Sequence, residues 1–169
     1  PRAAGPQPLM DVTPTDTLTV IIEAAAALAG FAGIVATLRR EAWTRLDSLQ
    51  IRNLLSSAFS ALFVSIIALI LIHANIPEQT TWRTLSGVWF AVGLVSTGYN
   101  ARAYRNLAVE SGGGLSRSNL FWFGSVILVL LLQIYNVAVL AAFWPVLVAV
   151  SWLFGLTCYS FWELLIRHK

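Results

Sequence analysis

Charge is what this chain lacks most. Only 11% of its 169 residues are Asp, Glu, Lys or Arg, where a soluble domain carries about 25%. A chain so poor in charge cannot keep most of its surface in water, which excludes a soluble globular enzyme or binding module as its main body. Cysteine is nearly absent as well. Cys158 stands alone, so no disulfide can form within the chain and no cysteine-based metal cluster can assemble. The G-x-x-x-x-G-K-[ST] phosphate loop, H-E-x-x-H and G-x-S-x-G are all missing. No stretch repeats arginine at every third position, as a voltage sensor does. With no nucleophile–base pair in view, the expectation is a protein without catalysis. No cofactor or metal is expected. Bound lipid is expected, and a pigment has no support in the residues.

What the chain has instead is apolar length. Apolar residues make up 57%, and the mean hydropathy is +0.73. A membrane-spanning helix needs about 20 mostly apolar residues. Five runs meet that need, at about 17–38, 53–75, 81–101, 119–142 and 145–166. The fold class predicted is all-α: a single domain over 16–169 made of five transmembrane helices. Residues 1–15 hold Pro1, Pro6, Pro8 and Pro14 and are expected to be an extended tail. Thr15 or Asp16 is the expected cap of the first helix, and Ser118 or Asn119 that of the fourth. Pro145 suits the first position of the fifth helix, where its missing N–H is not needed. Only Phe143 and Trp144 separate the last two runs, so they form a tight antiparallel hairpin. Merged, they would reach roughly 70 Å at 1.5 Å per residue, more than a bilayer's thickness.

Basic residues orient the bundle. Arg39, Arg40, Arg45 and Arg52 lie in one gap, Arg102, Arg105 and Arg117 in another, and Arg167 and Lys169 in the tail. These three regions share one side of a five-span chain. The other side has only Arg2 and Arg83. The positive-inside rule then puts the N-terminus outside and the C-terminus in the cytoplasm. The net charge of +3 and the pI near 9.5 follow from this asymmetry, and no nucleic-acid partner is expected. Trp43, Trp82, Trp122, Trp144 and Trp162 fall near span ends, where interfacial anchors belong. The 39–52 stretch has the rhythm of a short amphipathic helix on the inner leaflet, and the three glycines at 112–114 make the most permissive loop.

A few polar residues interrupt the apolar runs. Glu23 lies about two turns into the first span, where a carboxyl facing lipid is costly. On a helical wheel it shares a face with Ala26, Ala27, Gly30, Ile34 and Thr37, with Gly33 at the edge. Ile21, Ala25, Leu28, Ala32 and Val35 lie opposite. Small residues let helices approach closely, so the Glu23 face is expected to pack against other helices. Glu23 reads either as an ion or proton site or as a hydrogen-bonded carboxyl tying helices together. The fourth span carries a second polar stripe through Ser118, Trp122, Ser125, Val129, Gln133 and Asn136. Gln133 and Asn136 could complete a polar intramembrane site with Glu23, or simply join helices. Ser86, Gly93, Thr97, Asn100 and Tyr104 share a face of the third span, Asn53, Ser56, Ser57 and Ser60 a stretch of the second, and Ser151, Gly155 and Cys158 a face of the fifth. These read as packing seams, or as a polar lumen shared between subunits. His73 is a lone candidate ligand, or else an interfacial polar residue. It lies across the membrane from His168, so the two cannot sandwich a haem within one subunit.

The run Glu23-Ala-Ala-Ala-Ala-Leu-Ala-Gly30-Phe31-Ala-Gly33-Ile34-Val35, followed by Arg39-Arg40, Trp43, Asp47 and Arg52-Asn53-Leu54-Leu55, resembles a family of small multi-pass bacterial inner-membrane proteins of unassigned function. The likeness covers roughly the first 65 residues plus Trp82-Arg83. It implies an inner-membrane location and a joint role for Glu23 and the glycine-rich first helix, and it implies no activity. Two functions remain in play. One is a non-catalytic membrane subunit that packs on a larger assembly, or on copies of itself, through small-residue and aromatic faces. The other is a homo-oligomeric ion or small-solute channel or carrier with Glu23 near the path.

Overall fold

The protein is described here by a computed structural model over residues 13–38, 44–110 and 117–167. The Pro-rich stretch to residue 12, Arg39 to Trp43, the glycine loop and the last two residues, His168 among them, lie outside the described residues. Those described form helices only: α1 (Pro14–Leu38), α2 (Arg45–His73), α3 (Glu78–Glu110), α4 (Arg117–Tyr135) with a π-helical continuation over Asn136–Leu140, and α5 (Phe143–Arg167). Four are long and apolar enough to cross a membrane, over Pro14–Val35, Arg45–His73, Phe121–Leu140 and Phe143–Trp162.

Two helices open with the same local device. Thr13 Oγ1 accepts from the Asp16 N–H at 3.2 Å, and the Thr13 N–H donates back to Asp16 Oδ2 at 3.1 Å. Thr44 and Asp47 repeat the reciprocal pair at 3.2 and 2.9 Å ahead of α2. Each box satisfies two backbone donors that a helix start leaves open. The cap of α1 is therefore Thr13 rather than Thr15 or Asp16. Pro14 and Thr15 are helical, not part of a tail. The sequence expectation of a separate surface helix over 39–52 also changes. Residues 45–52 are the first two turns of α2, because the Thr44 box starts the helix there and Asp47, Leu49, Gln50 and Ile51 are buried. The side chains of Ser118 and Asn119 lie outside the described ones.

α2 ends as expected before Pro77, with Asn75 in the left-handed region at φ 56°. α3 has 33 residues, about 50 Å at helical rise, well beyond the expected 81–101. It lacks the unbroken apolar stretch of the other four, because Ser86, Gly87, Gly93, Ser96, Thr97, Gly98 and Asn100 interrupt it. The α4–α5 turn has the two-residue length expected but lies two residues earlier, at Ala141 and Ala142. The π turn ends at Ala141, which takes φ 50°, and α5 starts at Phe143, two residues ahead of Pro145.

α1 packs mainly on α2, and α2 also borders α5 and α3. The core joins Leu18, Ile21 and Ala25 of α1 to Ala61, Val64 and Ala68 of α2, Trp82, Leu85 and Trp89 of α3, and Val146, Ala149, Val150 and Leu153 of α5. Trp82 packs against Phe143 with ring centres 4.8 Å apart and planes tilted by 44°, so α3 and α5 start at the same end of the bundle. It is buried and donates its indole N–H to Glu78 Oε1 at 3.0 Å. It is thus a core residue and not the interfacial anchor its position at a span end predicts. Trp144 and Trp162 are exposed, as anchors would be.

The polarity of the bundle is inverted relative to a soluble protein. Gln133, Asn136, Ser65, Ser86, Thr81 and Thr157 are fully or almost fully buried, while Val20, Phe63, Val95, Phe121, Leu128 and Val139 are exposed. Soluble monomers seldom expose contiguous apolar patches beyond a few hundred Å². An apolar coat around a polar interior is stable where the surroundings are lipid, so this is a multi-pass membrane protein.

Candidate functional site

The structure separates the residues that the sequence expectation groups into one intramembrane site. On α1 the wheel divides the faces correctly, and within one chain the face opposite Glu23 is the one that packs. Leu18, Ile21, Ala25 and Ala32 are buried, whereas Glu23, Ala26, Ala27 and Gly30 are exposed. A Cβ added at Gly30 or Gly33 would meet nothing within 4 Å. The small residues that allow close approach lie on α2 instead, as Ala58, Ala61, Ser65 and Ala68 at alternating spacings of three and four. Leu18, Ile21 and Ala25 of α1 share one core cluster with Ala61 and Ala68 of that row. One small-residue face per helix pair is enough, so the glycine face of α1 is left outward with its carboxyl.

Gln133 and Asn136 are buried, away from this face. Asn136 Oδ1 accepts from the Ala142 N–H at 2.9 Å, and its Nδ2 donates to Ser86 Oγ at 2.7 Å and to the Ala142 carbonyl at 3.0 Å. One side chain thus closes the α4–α5 turn and ties it to α3. Gln133 Nε2 donates to the Pro145 carbonyl at 2.9 Å. The other expected packing residues divide in two. Gly93 is in close contact with α4, since an added Cβ would lie 2.7 Å from Leu130 Cδ2. Ser151, Gly155 and Cys158 are exposed, so within one chain that face of α5 is not a seam. His73 is exposed at the end of α2, and its Nδ1 donates to the Leu69 carbonyl at 2.8 Å. No group of three or more His, Cys, Asp or Glu side chains converges to hold a metal among the described residues.

A cavity of ≈ 160 Å³ lies among α2, α3, α4 and α5. One wall carries hydroxyls and amides of α2 and α3, including Ser56, Ser57, Ser60, Ser96, Thr97 and Asn100. α4 and α5 contribute mostly aromatic and aliphatic side chains, Trp122, Val126, Leu130, Trp152, Leu156 and Tyr159, with Ser160 among the polar ones. No charged side chain lines it among the described residues. Gln133 and Trp89 also line it, and both are more than nine-tenths buried. Gln133 Oε1, the Trp89 indole N–H and Asn100 Oδ1 have no hydrogen-bond partner. Trp152 is fixed by its indole N–H donating to Ser125 Oγ at 3.2 Å, and Ser125 in turn donates to the Trp122 carbonyl at 2.8 Å. Trp122 packs on Tyr159 with ring centres 4.8 Å apart. Near Asn53, Arg52 donates to the Tyr99 hydroxyl at 2.6 Å and holds its guanidinium 4.4 Å over that ring, joining the start of α2 to the latter part of α3.

Asn53, Ser56, Ser57 and Ser60 of α2 thus line one cavity within the chain together with Gly93, Thr97, Asn100 and Tyr104 of α3. Sequence reasoning overlooked Trp89 and Trp152. Their signal was available: both lie mid-helix, away from the span ends where membrane tryptophans usually anchor. No family profile, no curated protein and no solved structure matches the chain.

Proposed function

We propose that the protein is a non-catalytic integral membrane subunit that docks on another membrane helix through the outer face of α1. The observation that carries this reading is the exposure of Glu23 on an apolar span, beside Ala26, Gly30 and Gly33. A carboxyl against lipid is costly, and a partner helix with a hydrogen-bonding group would relieve that cost. The small residues beside it would let the partner backbone approach closely.

In this reading α3 is the fifth span, the N-terminus is outside, the C-terminus is cytoplasmic, and the location is a bacterial inner membrane. Support for α3 comes from its two faces. Val88, Val92, Leu94 and Val95 point outward, while Thr81, Ser86 and Trp89 are buried. That division suits a helix within a membrane bundle and not one lying in water. Support for the orientation comes from the nine-to-two distribution of Lys and Arg.

The test is purification in mild detergent followed by mass measurement and cross-linking from Val20→Cys in a Cys158→Ala background. The expected outcome is a discrete complex held through α1, which Gly30→Leu disperses while the isolated chain keeps its helicity. A wild-type chain that runs as a monomer, with no cross-link in native membranes, rejects the docking reading. The channel or carrier reading draws on the same exposed carboxyl and requires a homo-oligomer. It further requires flux in liposomes that Glu23→Gln changes.

A further inference from the structure

We propose that the cavity among α2, α3, α4 and α5 holds a file of hydrogen-bonded water molecules that enters the bundle from one end and stops inside it. This inference goes beyond the docking face on α1, because none of the residues involved is shared.

The register between α3 and α4 places the polar atoms along the cavity. Ser86 meets Asn136, Gly93 lies against Leu130, and Tyr104 packs on Phe123, so the two helices run antiparallel. One turn from the Ser86–Asn136 pair, Trp89 comes level with Gln133. Both line the cavity and are buried, and the Trp89 indole N–H and Gln133 Oε1 have no hydrogen-bond partner. Gln133 is held in place, because its Nε2 donates to the Pro145 carbonyl. Eleven residues farther along each helix, about 16 Å at helical rise, Asn100 comes level with Trp122. Asn100 Oδ1 is the third atom of the lining without a partner. Hydroxyls of Ser96 and Thr97 stand between these two levels, and Ser57 and Ser60 of α2 line the same cavity.

The cavity has a closed end and a mouth. Beyond Trp89 and Gln133 the bundle is filled by the core residues Trp82, Leu85, Val146 and Val150. Toward Asn100 the lining is only half-buried, at Asn53, Tyr104, Trp122 and Ser160. The N-out reading turns that mouth to the cytoplasm.

The separation of the two levels decides the occupant. Buried polar atoms without partners are rare, because each forfeits its hydration. Water both donates and accepts, so one file serves the acceptors at both levels and the Trp89 donor between core and cavity. At about 2.8 Å per hydrogen bond, about six molecules cover that length. The volume agrees: ≈ 160 Å³ holds about five waters at about 30 Å³ each. An acyl chain could run the same length but would leave the polar atoms of both levels unpaired. An ion would enter without a counter-charge, since no charged side chain lines the cavity among the described residues.

The experiment uses the full chain in lipid nanodiscs, where both membrane faces are open to reagent. In a Cys158→Ala background, Ser96→Cys places a thiol in the cavity, and Val95→Cys places one next to it on the exposed face. Methanethiosulfonate reagents attack the thiolate, which forms where water reaches the sulfur. With 2-aminoethyl methanethiosulfonate, Ser96→Cys should react at least about tenfold faster than Val95→Cys. A second measurement needs no variant. X-ray radiolysis splits water where it stands, and the hydroxyl radical oxidises the adjacent side chain. In the wild type, Trp89 should be oxidised several times faster than Trp82, which is equally deep in the core cluster but lines no part of the cavity. The proposal is overturned if Ser96→Cys reacts no faster than Val95→Cys, as a lipid or detergent chain in the cavity would produce. It is equally overturned if Trp89 is oxidised no faster than Trp82.

Discussion

Asn136 makes three hydrogen bonds across a turn of six residues and a neighbouring helix. Its replacement by Ala leaves the Ala142 N–H and carbonyl without those partners in an apolar setting. We expect Asn136→Ala to lower stability by about 2–3 kcal/mol, since an unsatisfied buried polar group costs about 1–3 kcal/mol. Thermal unfolding in a single detergent measures it. Glycines at two positions should diverge. Gly93→Val pushes branched carbons into Leu130 and should cost about 1–3 kcal/mol, the usual penalty of overpacking, whereas Gly93→Ala asks only the flexible end of Leu130 to turn. Gly30→Ala meets open space and should leave the isolated chain unchanged, or stabilise it by up to about 1 kcal/mol through helix propensity.

At the scale of the element, the Thr-x-x-Asp boxes set where α1 and α2 begin. Thr44→Ala should lower the melting midpoint by an amount equivalent to about 1 kcal/mol, the typical loss on removing a cap, and Thr44→Ser should restore most of it. Unfolding of the two variants beside the wild type reads this directly. The sequence made existence and type of the helices legible, because four are long apolar runs and α3 is an interrupted one. Where α1 starts was legible too, since Thr13 and Asp16 have the capping-box spacing, but the neighbouring Thr15 and Asp16 drew attention away. Which face of α1 looks inward was not legible. Periodicity separates Ala25 from Glu23 by half a turn of the wheel, yet the choice between them depends on α2, whose Ala58, Ala61 and Ala68 already provide the close-packing surface. The cavity was half legible. Its serines and asparagines stand out in apolar spans, but that three helices turn them to one lumen follows from packing at long sequence separation.

For the whole molecule, the inversion of polarity decides what environment it tolerates. The apolar exterior requires lipid or detergent, and the polar interior gives helices reasons to associate where water expulsion gives none. The orientation is open to a direct measurement. In a Cys158→Ala background, an impermeant thiol reagent applied from outside should label Gln79→Cys, at the exposed start of α3, and spare Gly113→Cys until the membrane is permeabilised. The reverse pattern overturns the N-out reading, and labelling of both in intact cells indicates insertion in two directions.

The interrupted sequence of α3 bears on how such a bundle is made. In the five-span reading, its serines, glycines and Asn100 give the insertion machinery too weak a signal to release this segment sideways into lipid by itself, because release follows the summed transfer free energy of the segment. It would have to wait at the exit until a neighbour shields its polar side. The short Asn75–Pro77 link makes α2 the nearest such escort, and the Trp82–Phe143 and Asn136–Ser86 contacts become available only after α4 and α5 are synthesised. In that reading biogenesis has a late commitment step. A ribosome-bound chain truncated after residue 110 should leave α3 still cross-linking to the insertion channel, and one extended through α5 should have cleared it.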